Sequence, residues 1–340
     1  MIYVEKSAEN LPLTQIVAKE HNIHIIDNSQ QVEDKKSNII ISSHKDNFVH
    51  RCPATNIYRC CNYHVVDIMQ GCPFDCAYCI LQLYLPHKYI KVTGNTDLWL
   101  EDMKKATAHE KRRIGSGELS DSLAMDKTIP LSKIIVPYVN NLENILFEFK
   151  TKSDVIDNLL NLNPKNVMVS WSLNPAEIIE KEEPLTATLK RRLQAAKTIS
   201  EYGYKVGFHF DPLIMVDKFE ELYGSLIEEL TSTIKEESVE YISISTFRCP
   251  SDLMNIIRER KSPSILTKGD FIKGIDGKTR YFKAERIKMI GFVTEKLKKE
   301  WKNVFIYYCM EHDSIWTKLL NYDPGEREDF EKHFPCYNNI

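Results

Sequence analysis

Short β-branched or aromatic runs alternate with longer stretches of helical period along most of this chain. The runs are "HVVDIM" (64–69), "RRI" (112–114), "ILFEF" (145–149), "VMVSWSL" (167–173), "YKVGFHF" (204–210) and "YISISTF" (241–247), with "VFIYYC" (304–309) later. Between them lie apolar-periodic segments such as "SDVIDNLLNL" and "ATLKRRLQAAKTISEYG", the second closing on Gly203 as a helix C-terminal cap would. This alternation predicts βα units and a parallel sheet. Six units in mid-chain predict an α/β protein built on a partial (β/α)6 TIM-type barrel. The expected division is an N-terminal α/β extension over 1–62, carrying the strand candidate "NIIISS", a barrel core over 63–250, and a C-terminal hairpin and helical segment over 251–340 packed with the core.

Parallel α/β folds build their sites at the C-terminal ends of strands, and polar residues fall there. Cys72 follows the first run, Glu118 in "IGSGELSD" the second and Lys152 the third; Ser172 and Asn174 close the fourth, while Asp211 and Arg248 follow the fifth and sixth.

Composition narrows the setting. The 340 residues are 43% hydrophobic and 27% charged, as in ordinary globular proteins, and the net charge of −3 provides no global attraction to nucleic acid or anionic lipid. There is no N-terminal signal pattern and no apolar stretch near the roughly 20 residues that span a bilayer, so a cytoplasmic location without membrane contact is expected. Nine cysteines, an odd number without an export signal, argue for metal or redox chemistry rather than a disulfide framework.

Three of those cysteines, Cys72, Cys76 and Cys79, lie in "GCPFDCAYCILQ" (71–82). A C-x3-C-x2-C run can hold three irons of a cubane cluster and leave the fourth open to an exchangeable ligand. The alternatives are a zinc site completed by His64, His87 or another cysteine in a non-catalytic nucleic-acid-binding protein, or a buried thiol cluster.

At these residues the sequence resembles the radical S-adenosylmethionine superfamily, including an aromatic residue, Tyr78, just before the third cysteine. The resemblance implies a [4Fe-4S] cluster on Cys72, Cys76 and Cys79 and S-adenosylmethionine on the open iron. It further implies an electron donor such as a flavodoxin or ferredoxin, and hydrogen abstraction from substrate by a 5′-deoxyadenosyl radical. "GSGE" (115–118) is similar to the superfamily's Gly-Gly-Glu element, in which Gly117 admits the cofactor and Glu118 accepts from its ammonium group.

From residue 2 to about 310 the chain resembles the spore photoproduct lyase family, through "FKTKSDVIDNLL", "SWSLNP", "KEEPLTATLKRRLQAAK", "YKVGFHFDPLI" and "STFRCPSDLMNIIRER". The resemblance implies that Lys152, Ser172 and Asn174 contact S-adenosylmethionine. Two departures stand out: aligning on Ser120-Asp121 puts Glu118 where the family carries its hydrogen-returning cysteine, and Ile80, directly after Cys79, occupies the position of its partner tyrosine. The expected chemistry is therefore lyase-like with altered hydrogen return. Of the remaining cysteines, Cys52, Cys60, Cys61, Cys309 and Cys336 read as buried thiols or auxiliary ligands, and Cys249 is the candidate substitute donor.

"LTKGDFIKGIDGKTRYFKAERIK" predicts a hairpin turning at Asp276-Gly277, decorated by Lys268, Lys273, Lys278, Arg280 and Lys283. The resemblance implies that a hairpin here contacts DNA, with Phe271 or Tyr281 beside a lesion, so that a DNA or nucleotide substrate is expected.

Overall fold

A computed structural model describes residues 1–45, 47–55 and 57–338. The chain divides into two compact units, one comprising Met1–Cys52, Tyr63–Phe74 and Tyr84–Met168, the other Pro53–Asn62, Asp75–Leu83 and the chain from Val169 onward. No helix among the described residues is long and apolar enough to cross a membrane.

The first unit contains a five-stranded sheet ordered β2-β1-β3-β7-β6: β1 (Ile2–Glu5), β2 (Ile23–Ile26), β3 (Ile39–Ser42), β6 (Met69–Gln70) and β7 (Ile90–Thr93). The expected strand "NIIISS" is β3, at its centre. Four short strands of the same unit lie in a second sheet: β4 (Val49–Arg51), β5 (His64–Val66), β8 (Arg112–Gly115) and β9 (Ile145–Thr151). Strand β4 pairs antiparallel with β5, whereas β5, β8 and β9 run parallel.

The next strand, β10 (Val167–Ser172), starts in the first unit and runs on into the second, where the order continues through β11 (Lys205–Leu213) and β12 (Val239–Thr246) to β16 (Ile306–Tyr308). The pairs β11·β12 and β12·β16 are parallel. Eight strands thus form one hydrogen-bonded order, β16-β12-β11-β10-β9-β8-β5-β4, and every predicted run supplies one of them. The α/β partial-barrel class is the one expected. Strands β10 and β12 are buried almost throughout, as parallel strands covered on both faces must be.

Local chemistry explains the boundaries in the second unit. Helix Leu189–Glu201 starts at Thr188, whose side chain accepts from Arg191 N, and ends in a Schellman motif: Gly203 N donates to Ser200 O and Tyr204 N to Ile199 O. Gly203 holds φ +92, where a side chain would be strained. The predicted hairpin is present as β14 (Phe271–Lys273) and β15 (Thr279–Tyr281), with Gly277 at φ +77 in its turn; β13 (Arg248–Cys249) pairs with β15 as a third strand.

Central and peripheral positions should differ sharply in cost. Ile244 stands opposite Phe210 of β11 and Tyr308 of β16 and is fully buried, whereas Ile272 on the hairpin is 38% exposed. Ile244→Ala is expected to lose about 2–5 kcal/mol of unfolding free energy in urea titration, and Ile272→Ala less than about 1 kcal/mol.

Candidate active site

All nine cysteines are thiols. Cys72 belongs to the first unit and follows Gly71, which only glycine can occupy: φ is +93 and an added Cβ would lie 2.7 Å from Tyr89 O. Gly71 N donates to Leu119 O, tying the start of the thiol loop to the residue after Glu118.

Cys76 and Cys79 belong to the second unit. There Asp75 N donates to Pro184 O and Ala77 N to Glu182 O, while Gln82 Nε2 lies 3.2, 3.0 and 3.2 Å from the carbonyl oxygens of Cys76, Ala77 and Cys79. Among the described residues no three His, Cys, Asp or Glu side chains are grouped so as to hold a metal ion.

Tyr78, Ser172 and Asn174, singled out from sequence, meet in the second unit through two residues that were not. Glu183 accepts from the Tyr78 hydroxyl, from Asn174 Nδ2 at 2.9 Å and from Arg192 Nη2 at 2.6 Å. Arg192 Nη1 donates to Ser172 O at 2.8 Å, and Asn174 Oδ1 accepts from the Tyr223 hydroxyl at 2.9 Å. Burial, reinforced by the Glu183 charge, pushes the Tyr78 phenol well above its usual range, so it stays a donor. The missed signal was Arg192 itself, a charge on the buried face of its helix beside Leu189, Leu193 and Ala196.

Gly117, Glu118 and Lys152 belong to the first unit. Buried Asp121 accepts from Leu123 N, Ala124 N, Thr151 Oγ1 and Lys152 N, so one carboxylate ties the segment after Glu118 to the end of β9, where Lys152 stands. At Gly117 a Cβ would come within 3.0 Å of both Lys150 O and Ser122 Oγ.

Glu118 is half-buried, and its Oε2 is shielded from solvent without a hydrogen-bond partner. Burial raises its pKa, the Asp67 charge adds to the rise, and His50 and Lys150 oppose it. Asp67 in turn meets His50 Nε2 at 2.7 Å, while His50 Nδ1 faces Arg51 O at 3.0 Å. Both ring nitrogens thus address acceptors, which favours imidazolium: burial pulls the His50 pKa down, but Asp67 and the Arg51 carbonyl leave it raised.

Elsewhere in the second unit, Asp211 and Arg248, expected at strand ends, meet at 3.5 Å. Arg248 Nη2 also lies 3.6 Å from Cys309 Sγ. Cys249 is 2% exposed, and burial pushes its thiol up to about 12, so it is protonated at neutral pH.

The hairpin corrects two expectations. Arg280 is 1% exposed, bonded to Asp276 at 2.5 Å and covered by the Tyr58 ring at 4.2 Å, while Tyr281 is buried and its hydroxyl accepts from Met215 N. As neighbours in β15 they face opposite sides of the strand, and each is covered there: Arg280 by Asp276 and Tyr58, Tyr281 at Met215. Lys268, Lys273 and Lys283 remain exposed, and Lys278 is half-buried.

The model of a family described as spore photoproduct lyase matches residues 3–305. A spore photoproduct lyase of Clostridium acetobutylicum is 23% identical over 248 residues, covering 70% of this chain and 71% of that protein. One of Bacillus subtilis is 26% identical over 214 residues, covering 61% and 60%. Among solved structures, a doubly substituted spore photoproduct lyase with bound AdoMet and dinucleoside spore photoproduct superposes with a TM-score of 0.80 at 21% identity, over 90% of this chain and 98% of that one. Another, complexed with dinucleoside spore photoproduct, gives 0.79 at 21% identity over the same shares. With nine-tenths of its length matched in fold and residues 3–305 matched by the family model, the chain belongs to the spore photoproduct lyase family of radical S-adenosylmethionine enzymes.

Proposed function

We propose that the chain binds a [4Fe-4S] cluster through Cys72, Cys76 and Cys79, binds S-adenosylmethionine, and acts on a DNA or nucleotide substrate with a hydrogen-return step unlike that of its relatives. When bound, the cluster and cofactor would supply a 5′-deoxyadenosyl radical after one-electron reduction by a flavodoxin- or ferredoxin-type donor. The chain's own residues bind and orient. Glu118 Oε2, a shielded acceptor without a partner, suits an ammonium group; Gly117 lets its loop pack closely on Lys150 and Ser122; and Lys152, held by Asp121 through its backbone, suits a carboxylate. Tyr78, Ser172 and Asn174 would present fixed polar groups, their directions set by Glu183 and Arg192.

The observation that carries this reading is the tie between the thiol loop and the Glu118 loop at Gly71–Leu119, with Glu118 Oε2 left unpartnered. A single zinc ion would draw its ligands to one point, whereas a cubane takes each thiolate on a different iron. The C-x3-C-x2-C spacing of the loop fits the second better. Exposed Lys268, Lys273 and Lys283 support contact with substrate phosphates.

Altered hydrogen return rests on Glu118 and Ile80 standing in place of a thiol and a phenol. A carboxyl group exchanges protons readily, but its O–H bond is too strong to give a hydrogen atom to a carbon radical. Cys249 carries the required S–H, although it is buried, on β13 opposite Thr279 of β15.

Cys76→Ala is expected to remain folded by circular dichroism while losing cluster iron and S-adenosylmethionine cleavage; retained iron and turnover would sink the assignment. Glu118→Gln and Lys152→Ala are each expected to weaken S-adenosylmethionine binding by about 1.5–3 kcal/mol in calorimetry of the cluster-loaded protein, without loss of iron. Given dinucleoside spore photoproduct, the wild type is expected to form 5′-deoxyadenosine with little clean thymine product by chromatography. Stoichiometric repair would overturn the altered chemistry, and loss of that repair in Cys249→Ala would identify Cys249 as the donor.

A further inference from the structure

Arg260, the residue after helix Ser251–Glu259, reaches the thiol loop across 185 positions of sequence. Its Nη2 donates to Asp75 O at 3.0 Å and Asp75 Oδ2 at 2.6 Å, and its Nη1 donates to Gln82 Oε1 at 2.9 Å. The Gln82 amide is therefore engaged at both ends. Oε1 accepts from the guanidinium, so Nε2 faces the carbonyls of Cys76, Ala77 and Cys79 and shares its two hydrogens among them. A second grip lies a few residues further on. Ser264 Oγ and Ile265 N both donate to the fully buried Glu182, at 2.5 and 2.7 Å, and the Glu182 carbonyl accepts from Ala77 N at 2.7 Å.

A loop that must present thiolates to a cluster has to turn its cysteine side chains toward the metal, and its backbone carbonyls must then be satisfied by partners elsewhere. Gln82 does this for three carbonyls at once, and its orientation depends on Arg260. The guanidinium suits the task because its planar fork addresses an amide oxygen and a carboxylate together, which a lysine ammonium at the same place does not.

We propose that Arg260, acting through Gln82, is a positioning residue for the iron–sulfur cluster: it holds the Cys76–Cys79 turn in its ligating shape and so sets the cluster's retention and electronic environment. This rests on the assignment of the three cysteines as cluster ligands made above.

The test uses the full-length protein, loaded with cluster anaerobically, in wild-type form and as Arg260→Gln and Gln82→Glu. The second variant keeps the arginine but replaces the donor to the carbonyls with an acceptor. Iron release to a chelator is expected to be about tenfold faster in both variants, the low end of the cost of losing an outer-shell partner. The electron paramagnetic resonance spectrum of the reduced cluster is expected to shift from that of the wild type, with circular dichroism unchanged. Arg260→Lys is expected to behave like Arg260→Gln. Iron release and spectra equal to wild type in both principal variants would overturn the proposal, and should Arg260→Gln prove insoluble, Gln82→Glu decides alone. A wild type that takes up no cluster would overturn the functional reading and this inference together; a wild type that loads normally, with variants indistinguishable from it, would overturn this inference only.

Discussion

Glu183 and Arg192 are both fully excluded from solvent and bonded to each other at 2.6 Å. Taking two charges out of water costs several kcal/mol each, and mutual attraction offsets this only if their remaining donors and acceptors are satisfied. Here they are satisfied largely by groups that the proposed chemistry needs. The carboxylate accepts from Tyr78 and Asn174, while the guanidinium donates to the carbonyls of Ser172 and Ala187 and to the Thr186 hydroxyl. The thiol-loop tyrosine and the end of β10 are thereby held in one polar cluster. Neither charged partner can be removed alone without leaving the other buried and unpaired, so the pair constrains both at once.

That constraint also marks the limit of what the sequence discloses. Strands were legible because β-branched runs and helical periods are local properties, and the hairpin because Gly277 supplies the positive φ its turn requires. The thiol loop was legible from spacing alone. Glu183, Arg192, Gln82, Asp67 and His50 were not singled out, since each acts through partners distant in the chain or through atoms of the backbone. Arg280 and Tyr281 were read as surface groups for the same reason: nothing near them in sequence announces Tyr58 or Met215, which face them in the fold. The short strands β1 and β2 of the N-terminal sheet also escaped notice, their four residues each being too few for a period to register.

The first unit poses a different chemical problem. His50, Asp67 and Glu118 combine one favoured imidazolium with two carboxyl groups, one of them raised in pKa by burial and by its acidic neighbour. Imidazole and carboxyl groups exchange protons and are not hydrogen-atom donors. In the function proposed above, Glu118 stands where the resembled family carries a thiol that returns a hydrogen atom. On that reading the scaffold is shared within the family while the chemistry of one side chain changes kind.

Helix Ser251–Glu259 leads from β13, which is paired with the hairpin, to Arg260, which grips the thiol loop. At 1.5 Å per residue its nine residues span roughly 13 Å, and each residue added or removed would turn Arg260 by about 100° about the helix axis. A single insertion would swing the guanidinium away from both Asp75 and Gln82. The helix therefore tolerates no change of length while β13 and the thiol loop keep their places. Its residue count is a gauge length between β13 and the thiol loop.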